Sequence, residues 1–442
     1  MNNGSALWFR WEKLARSQPR KTVLIDLTTG KTYSAGALQG LALASASTLT
    51  DTGGLIALAL PNSPAWVIQF LAAQSLGKAV ISLDPGQPDA QRRELAANLG
   101  ASCLVTAETR ERLQPARRRH PLGTVYLKIT SGTTDTPRTW ACQASHLLAD
   151  GKNICSSMGI KPSDRNLGLV PIGHSYGLGN LVMPLLLQGT ALALAPGFVP
   201  AQISDWIRQY RLTVFPTVPA VLRILAQMPR HPLKPLRLVI SAGAPLAPET
   251  ARAFHQCHRI VPNNFYGSSE TGGIAYDPTG RGSLTGEHLG KPLRGVKLRI
   301  VRGQRVEVTG DAVLSPAGRH VLPDRGTLRP DGRLQLLGRN AAPANIGGRK
   351  VHPAEIQHLL QSQPGVREAL VWVHQSQGRD VLAAAVETSL AENDLQSALG
   401  GKLSAWKIPK LWHVRTELPR TSRGKLDRAK IQASIQSTSS CH

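Results

Sequence analysis

The chain has 442 residues, and 52 Lys and Arg against 28 Asp and Glu give it a net charge of +24. Single cores stop growing at roughly 250–300 residues, so two or more domains are expected. Hydrophobic residues at 41 % and charged residues at 18 % fit a globular protein and exclude wholesale disorder, and no apolar run reaches the roughly 18 residues of a membrane span.

In chain order, Leu55 to Leu60 reads as a buried strand, followed by a Pro-Asn-Ser-Pro turn and a helical stretch closed by Gly77. Ala79 to Leu83 is the next strand, then a helix with Pro88 near its start and Gly100 just past its end, then a strand from Cys103. This alternation predicts parallel βαβ units. It resumes with strands at Thr190–Ala195, Thr213–Phe215 and Leu236–Ser241, separated by helices at Ile203–Tyr210 and Ala220–Gln227. From Gly282 the texture changes to short alternating stretches with Gly and Asp-Gly turns, which predict a small antiparallel β unit. After Gly338-Arg339 comes a small α+β module, with a helix opening at Pro353, two strands and a helix at Asp394–Leu403. The Ser/Thr-rich tail from Gln432 is expected to fray.

The N-terminus lacks the apolar centre of a secretory signal. Five scattered cysteines, Cys103, Cys142, Cys155, Cys257 and Cys441, contain no CxxC pair, so neither a disulfide framework nor a zinc site is expected. A reducing cytoplasm is the expected compartment. The positive charge raises the question of nucleic acid, but the dense cluster Arg117-Arg118-Arg119-His120 has no interleaved aromatic and aromatics are only 5 % of the chain. The charge is therefore read as suiting small phosphorylated or acidic partners, with no nucleic acid expected.

Four segments carry chemistry. Thr130-Ser131-Gly132-Thr133-Thr134-Asp135-Thr136-Pro137-Arg138 follows a strand and surrounds a turn with hydroxyls, which could grip phosphate oxygens or form an ordinary surface loop. Tyr266-Gly267-Ser268-Ser269-Glu270-Thr271 sets an aromatic, hydroxyls and a carboxylate side by side, able to cover a base, touch a phosphate and hold a hard cation. Asp324 and Arg339 are a carboxylate suited to ribose hydroxyls and a guanidinium suited to sugar and phosphate. Pro419-Arg420-Thr421-Ser422-Arg423-Gly424-Lys425 is a basic loop in which Gly424 frees the backbone beside Lys425. Each alone could be a solvated surface feature.

Together, and in this order, they resemble the adenylate-forming (AMP-binding) superfamily of acyl-CoA synthetases, aryl-CoA ligases and peptide-synthetase adenylation domains. TSGTTDTPR is similar to that family's TSGTTGxPK phosphate loop, and YGSSET to its YGxTE segment. Asp324 stands in the place of the Asp in its TGD, and Gly338-Arg339 with Gly347–Ile356 resembles its GR…GGxKVxPxEIE stretch. PRTSRGKLDR is similar to the segment that carries the family's catalytic Lys. Pro171–Gly179 resembles the run beside the acyl pocket, and Ser241–Leu246 the turn near the adenine. The similarity extends from about Thr32 to Ile431.

The resemblance implies an α/β fold. A large N-terminal region with parallel sheets and a small β unit would span residues 1–338. A smaller mobile α+β lid would span 339–434, and 435–442 would be a disordered tail. It also implies roles. Thr130, Ser131, Gly132, Thr133, Thr134 and Arg138 would hold the phosphates of ATP. Gly243, Ala244, Pro245 and Tyr266 would line the adenine, Gly267 would belong to the same cofactor-binding set, Ser269 would touch the α-phosphate, and Glu270 would ligand Mg²⁺. Asp324 and Arg339 would bind the ribose, with Arg339, Glu270 and Lys425 forming the catalytic set. His174 and Gly177 would border the acid.

The implied reaction activates a carboxylic acid as acyl-AMP and passes it to coenzyme A. The alternatives are a carrier-protein phosphopantetheine as acceptor, or a degenerate relative that binds without catalysis. His174 stands where amino-acid-activating relatives often carry an Asp, which favours an acid without an α-amino group. Three departures bear on this. Asp135 replaces the usual Gly of the phosphate loop, Arg138 replaces the common Lys, and Ala342-Pro343 occupies the place of a charged hinge residue.

Overall fold

Short runs of aliphatic residues cannot pair in parallel without long crossovers, and the helix-forming stretches between them supply these. The structure, a computed structural model, describes residues 4–118, 120–130, 138–229, 233–339, 344–346, 349–351, 353–376, 379–400, 402–403, 405–421, 424 and 426–438. By internal contacts the chain divides into two units, Met1–Leu298 with Val308–His320, and Arg299–Glu307 with Val321–His442. Among the described residues no helix is long and apolar enough to cross a membrane.

The strands of the first unit are β1 (Thr22–Asp26), β2 (Thr32–Ser34), β3 (Leu55–Leu58), β4 (Ala79–Ser82), β5 (Cys103–Val105), β6 (Arg110–Arg112), β7 (Thr124–Thr130), β8 (Arg138–Gln143), β9 (Arg165–Gly168), β10 (Ala191–Leu194), β11 (Val214–Thr217), β12 (Leu238–Ser241), β13 (Pro262–Ser268), β14 (Gly272–Tyr276) and β15 (Lys291–Pro292). They form a six-stranded sheet of order β6-β5-β3-β4-β7-β8 and a nine-stranded sheet of order β15-β14-β13-β12-β11-β9-β10-β1-β2. Strands β5, β3, β4 and β7 are parallel, and β6 and β8 close the edges antiparallel. In the larger sheet β13, β12, β11, β9, β10 and β1 are parallel, β14 and β2 run the other way, and β15, antiparallel to β14, runs again with the parallel set. The parallel βαβ reading of the sequence is thus what the structure has.

Helices α1 (Ala6–Ser17), α2 (Ala35–Ala46), α3 (Pro64–Ser75), α4 (Asp89–Asn98) and α5 (Ala144–Met158) belong to this unit. Helix α1 was not anticipated. It starts where the Ser5 hydroxyl accepts from the Trp8 N–H, and it buries Leu7, Trp8, Trp11, Leu14 and Ala15 on one face. That face joins α2, α3 and the apolar segment Leu178–Leu187 in the largest core.

The second unit holds the four-stranded order β16 (Lys297–Val301), β17 (Arg305–Thr309), β18 (Arg319–Leu328), β19 (Leu334–Arg339). The hairpin β20 (Ala344–Ile346) with β21 (Arg349–Val351) follows, then the sheet of β22 (Val366–Ser376), β23 (Arg379–Thr388) and β24 (Leu411–Arg415). Helices Pro353–Gln361 and Glu392–Gly400 cover the latter through Ile356, Leu360, Leu395 and Leu399. Contacts group most of the small β unit with the C-terminal module rather than with residues 1–338. The physical reason is that β18 pairs with β19, and the helix at Pro353 packs on β19. The tail also differs from expectation. A helix, Arg428–Thr438, runs through the segment read as frayed, started by the Asp427 carboxylate accepting from the Lys430 N–H and anchored by buried Ile431.

A buried carboxylate, paired with a more exposed arginine, ties β9, β11 and β12 together at their amino ends. Asp164 accepts from Arg237, from the Lys161 N–H at 2.7 Å and from the Thr213 hydroxyl at 2.9 Å. Burial alone would raise its pKa, but the bonds to Arg237, Lys161 and Thr213 override this and hold the carboxyl below its ordinary 3.8. A depressed carboxyl stabilises the fold above the unfolded value and loses that contribution as pH falls through the folded value. Arg237→Ala leaves a buried acceptor underbonded and should cost about 1–3 kcal/mol at pH 7. Denaturant melts over a pH series should show the gap to wild type constant at neutral pH and shrinking below 3.8.

Candidate active site

The nine-stranded sheet reverses its order at β9. The chain leaves β9 to add β10 on one side, then crosses back to add β11, β12 and β13 on the other. Ligands of open α/β sheets bind at the carboxyl ends of strands where the order reverses. Here that edge gathers the loop after β9, which contains His174 to Gly177, the turn after β12, which contains Gly243, Ala244 and Pro245, and the end of β13. Gly243, Ala244 and Pro245 are all exposed.

At β13 the sheet changes from parallel to antiparallel. Strand β13 returns as β14 through a tip of three residues, Ser269, Glu270 and Thr271, after a register irregularity between Tyr266 and Gly267. The tip is fixed from several sides. The Glu270 carbonyl accepts from the Leu314 N–H at 2.9 Å, and the Ser268 and Thr271 hydroxyls lie 3.1 Å apart. The Ser269 carbonyl accepts from the Lys128 ammonium at 3.3 Å, and the Gly273 N–H donates to Asp150 at 2.8 Å. Glu270 is half-buried, and among the described residues no side chain pairs with its carboxylate. An oxygen donor in that state fits a hard cation such as Mg²⁺.

The His174 segment meets this tip directly. The Ser175 hydroxyl bonds that of Ser269 at 3.0 Å. Tyr176 reaches under the strand ends, donating to the carbonyls of Thr217 (3.2 Å) and Ile240 (3.0 Å), with its ring 5.8 Å from that of Phe265. Burial pushes the Tyr176 hydroxyl far above its ordinary value, so it remains a donor. Gly177 is packed so closely that a Cβ would lie 2.2 Å from the Pro171 carbonyl oxygen. The Gly173 carbonyl accepts from the Tyr126 hydroxyl, which also bonds the Ser82 hydroxyl at 2.9 Å, and Ser82 in turn accepts from the Trp66 indole at 3.1 Å. Residues of the six-stranded sheet therefore seat a segment of the other sheet.

In the second unit, Asp324 on β18 is buried and stands opposite Arg339, the last residue of β19, in the strand register. The loop leading to Lys425 is clasped by a buried carboxylate. Glu387 accepts from Arg420 at 2.8 Å, and Arg420 donates onward to the Gly424 carbonyl at 3.2 Å, while Arg420 and Leu426 form a β-bridge. Thr130 ends β7 and Arg138, exposed, begins β8. Ser131, Gly132, Thr133, Thr134, Asp135, Lys425 and the Ala342-Pro343 stretch lie outside the described residues. Sequence reasoning missed Ser175, Lys128 and Asp150. Ser175 stood inside a segment already singled out, but nothing local marks it as a partner of Ser269.

A family model described as AMP-binding enzyme matches residues 11–128 and 113–314. The chain is 25 % identical over 421 residues to an uncharacterized acyl–CoA ligase, YhfT, of Bacillus subtilis, covering 85 % of this chain and 87 % of that one. It is 27 % identical over 408 residues to a sulfoacetate–CoA ligase of Cupriavidus necator, covering 82 % and 79 %. Its fold is similar to the crystal structure of ATP-bound MatB from Rhodopseudomonas palustris, with a TM-score of 0.82 at 20 % identity over 99 % of this chain and 100 % of that one. The chain belongs to the AMP-binding enzyme family. Its chemistry is that of the acid–thiol ligases, ATP-dependent activation of a carboxylic acid to acyl-AMP followed by thioester formation.

The close packing at Gly177 gives a test of whether the segment from His174 to Gly177 belongs to the site. Gly177→Ala has only backbone to push against, and overpacking of this kind costs about 1–3 kcal/mol. We expect a lowered melting temperature and at least tenfold slower acid-dependent pyrophosphate exchange, measured on the soluble fraction.

Proposed function

We propose that the carboxyl edge at β9, β12 and β13 binds ATP beside the acid, and that the hairpin tip Ser269–Thr271 is its working part. The observation that carries this reading is the 3.0 Å bond between Ser175 and Ser269, which sets the acid-side segment against the phosphate-side tip. Attack of a carboxylate on the α-phosphate brings two anions together, so preorganised donors and cations must offset their repulsion.

In this reading Ser269 contacts the α-phosphate, and Tyr266 with the Gly243–Pro245 turn covers the adenine. Asp324 and Arg339 take the ribose hydroxyls. The hydroxyl loop from Thr130 to Thr134, with Arg138, holds the leaving phosphates. Lys425 meets the acid carboxylate and the bridging oxygen. Glu270 would hold Mg²⁺, which when bound neutralises charge on the phosphates. His174 borders the acid, and the reading favours a fatty or aryl acid without an α-amino group. Coenzyme A is the acceptor favoured over a carrier protein. Four described cysteines are free, three of them buried, which suits a reducing compartment such as the cytoplasm.

Lys425→Ala should slow pyrophosphate exchange about 100–1000-fold, the roughly 2.7–4 kcal/mol of a lost transition-state contact, with no change in the melting curve. Unchanged exchange would remove Lys425 from the mechanism.

The ribose contact has its own test. ATP should raise the melting temperature by mass action, and an analogue lacking both ribose hydroxyls should raise it much less. Asp324→Ala should abolish that preference. Equal shifts with both nucleotides in the wild type would overturn the assignment.

A further inference from the structure

We propose that Lys128 and Asp150 are positioning residues for adenylation, gripping the two ends of the hairpin tip that carries Ser269 and Glu270. The inference rests on the reading of that tip as the nucleotide- and cation-binding element.

The geometry is specific. Lys128 lies on β7 and Asp150 on α5, and each is 4 % exposed. Lys128 donates to the carbonyl of Ser269, where the tip begins. Asp150 accepts from the N–H of Gly273, just past where it ends. The carboxylate is wedged against backbone there, since a Cβ on Gly272 would lie 2.5 Å from its Oδ1 and one on Gly179 would lie 3.0 Å from its Oδ2. Only glycine at 272, with a φ of +70°, admits that approach. The two side chains therefore set the span and tilt of the tip from beneath.

Their charges also belong together. Burial pushes the Asp150 carboxyl above its ordinary value, and the Lys128 ammonium and the Gly273 N–H pull against that rise. A buried pair of this kind adds little stability compared with apolar side chains of similar volume. What it supplies is two directional contacts on one loop. Lys128 also lies two residues before Thr130, where the hydroxyl-rich phosphate loop leaves β7. One ammonium thus ties the end of β7 to the tip on the neighbouring sheet.

The test uses the full chain and separates positioning from folding. Removing one charge alone strands the other in the interior and can unfold the protein, so the main variant is Lys128→Met with Asp150→Asn. Asn keeps an oxygen for the Gly273 N–H, and Met keeps the volume of Lys. The double variant should melt within a few degrees of wild type. Its kcat for acid-dependent pyrophosphate exchange should fall at least tenfold, KM for ATP should move less than threefold, and half-saturation with Mg²⁺ should rise.

With Lys128→Met in both, Asp150→Leu should lose more activity than Asp150→Asn, because only Asn preserves the acceptor. Combined with Glu270→Gln, the double variant should add far less than its own single effect, as expected for groups acting through one element. A fully active double variant beside an impaired Glu270→Gln would overturn the positioning role and leave the reading of the tip intact. A fully active Glu270→Gln would overturn that reading, and the clamp would lose its purpose with it.

Discussion

A hairpin that closes in three residues cannot satisfy its own backbone, and the groups at its tip must find partners in the surroundings. Between β13 and β14 those partners come from four separate places. Lys128 serves the Ser269 carbonyl, Leu314 the Glu270 carbonyl, Asp150 the Gly273 amide, and Ser175 the Ser269 hydroxyl. The tip is consequently held before any ligand arrives. Donors already fixed need no reorganisation when charge develops on a phosphate, which is where such sites gain most of their advantage.

The position of the tip follows from the sheet. Parallel strands need crossover helices, and these leave one edge of the sheet lined with strand ends and loops. The switch to antiparallel at β14 then allows a tight return at that edge, which a crossover connection could not provide. The six-stranded sheet contributes from the side, through Lys128 on β7 and through Ser82 and Tyr126 beneath Gly173. In the second unit the same logic recurs on a smaller scale. Fully buried Glu387 holds Arg420, and Arg420 holds the carbonyl of the residue before Lys425.

The strands and helices of the parallel part were legible because aliphatic runs and Gly or Pro punctuation mark them locally. The order of nine strands was not, since it depends on which crossovers pass to which side. The motif residues could be picked out because hydroxyls, a carboxylate and a basic loop recur at fixed places in the chain. Their supports could not be picked out so easily. Lys128 sits among strand residues, next to buried Leu127 and Tyr126, and Asp150 falls on the buried face of α5 with Leu147, Ile154 and Met158. A charge inside an apolar stripe was the available signal, and its meaning required the partner on another element. The tail helix was missed for a different reason. Asp427 and Ile431 anchor its first turn, whereas composition weighed the Ser/Thr residues that follow.

The chain of hydroxyls beneath Gly173 has a direction. The Tyr126 hydroxyl has one proton and two partners, so if it donates to the Gly173 carbonyl it must accept from Ser82, and Ser82 accepts from the Trp66 indole. Each group then donates once and accepts from the group before it, and bonds arranged in this way polarise one another in the same sense. Trp66 and Tyr126 are buried, so their protons meet solvent only when the packing around them opens. Their rate of exchange with deuterium is a clock for that opening, set inside the protein.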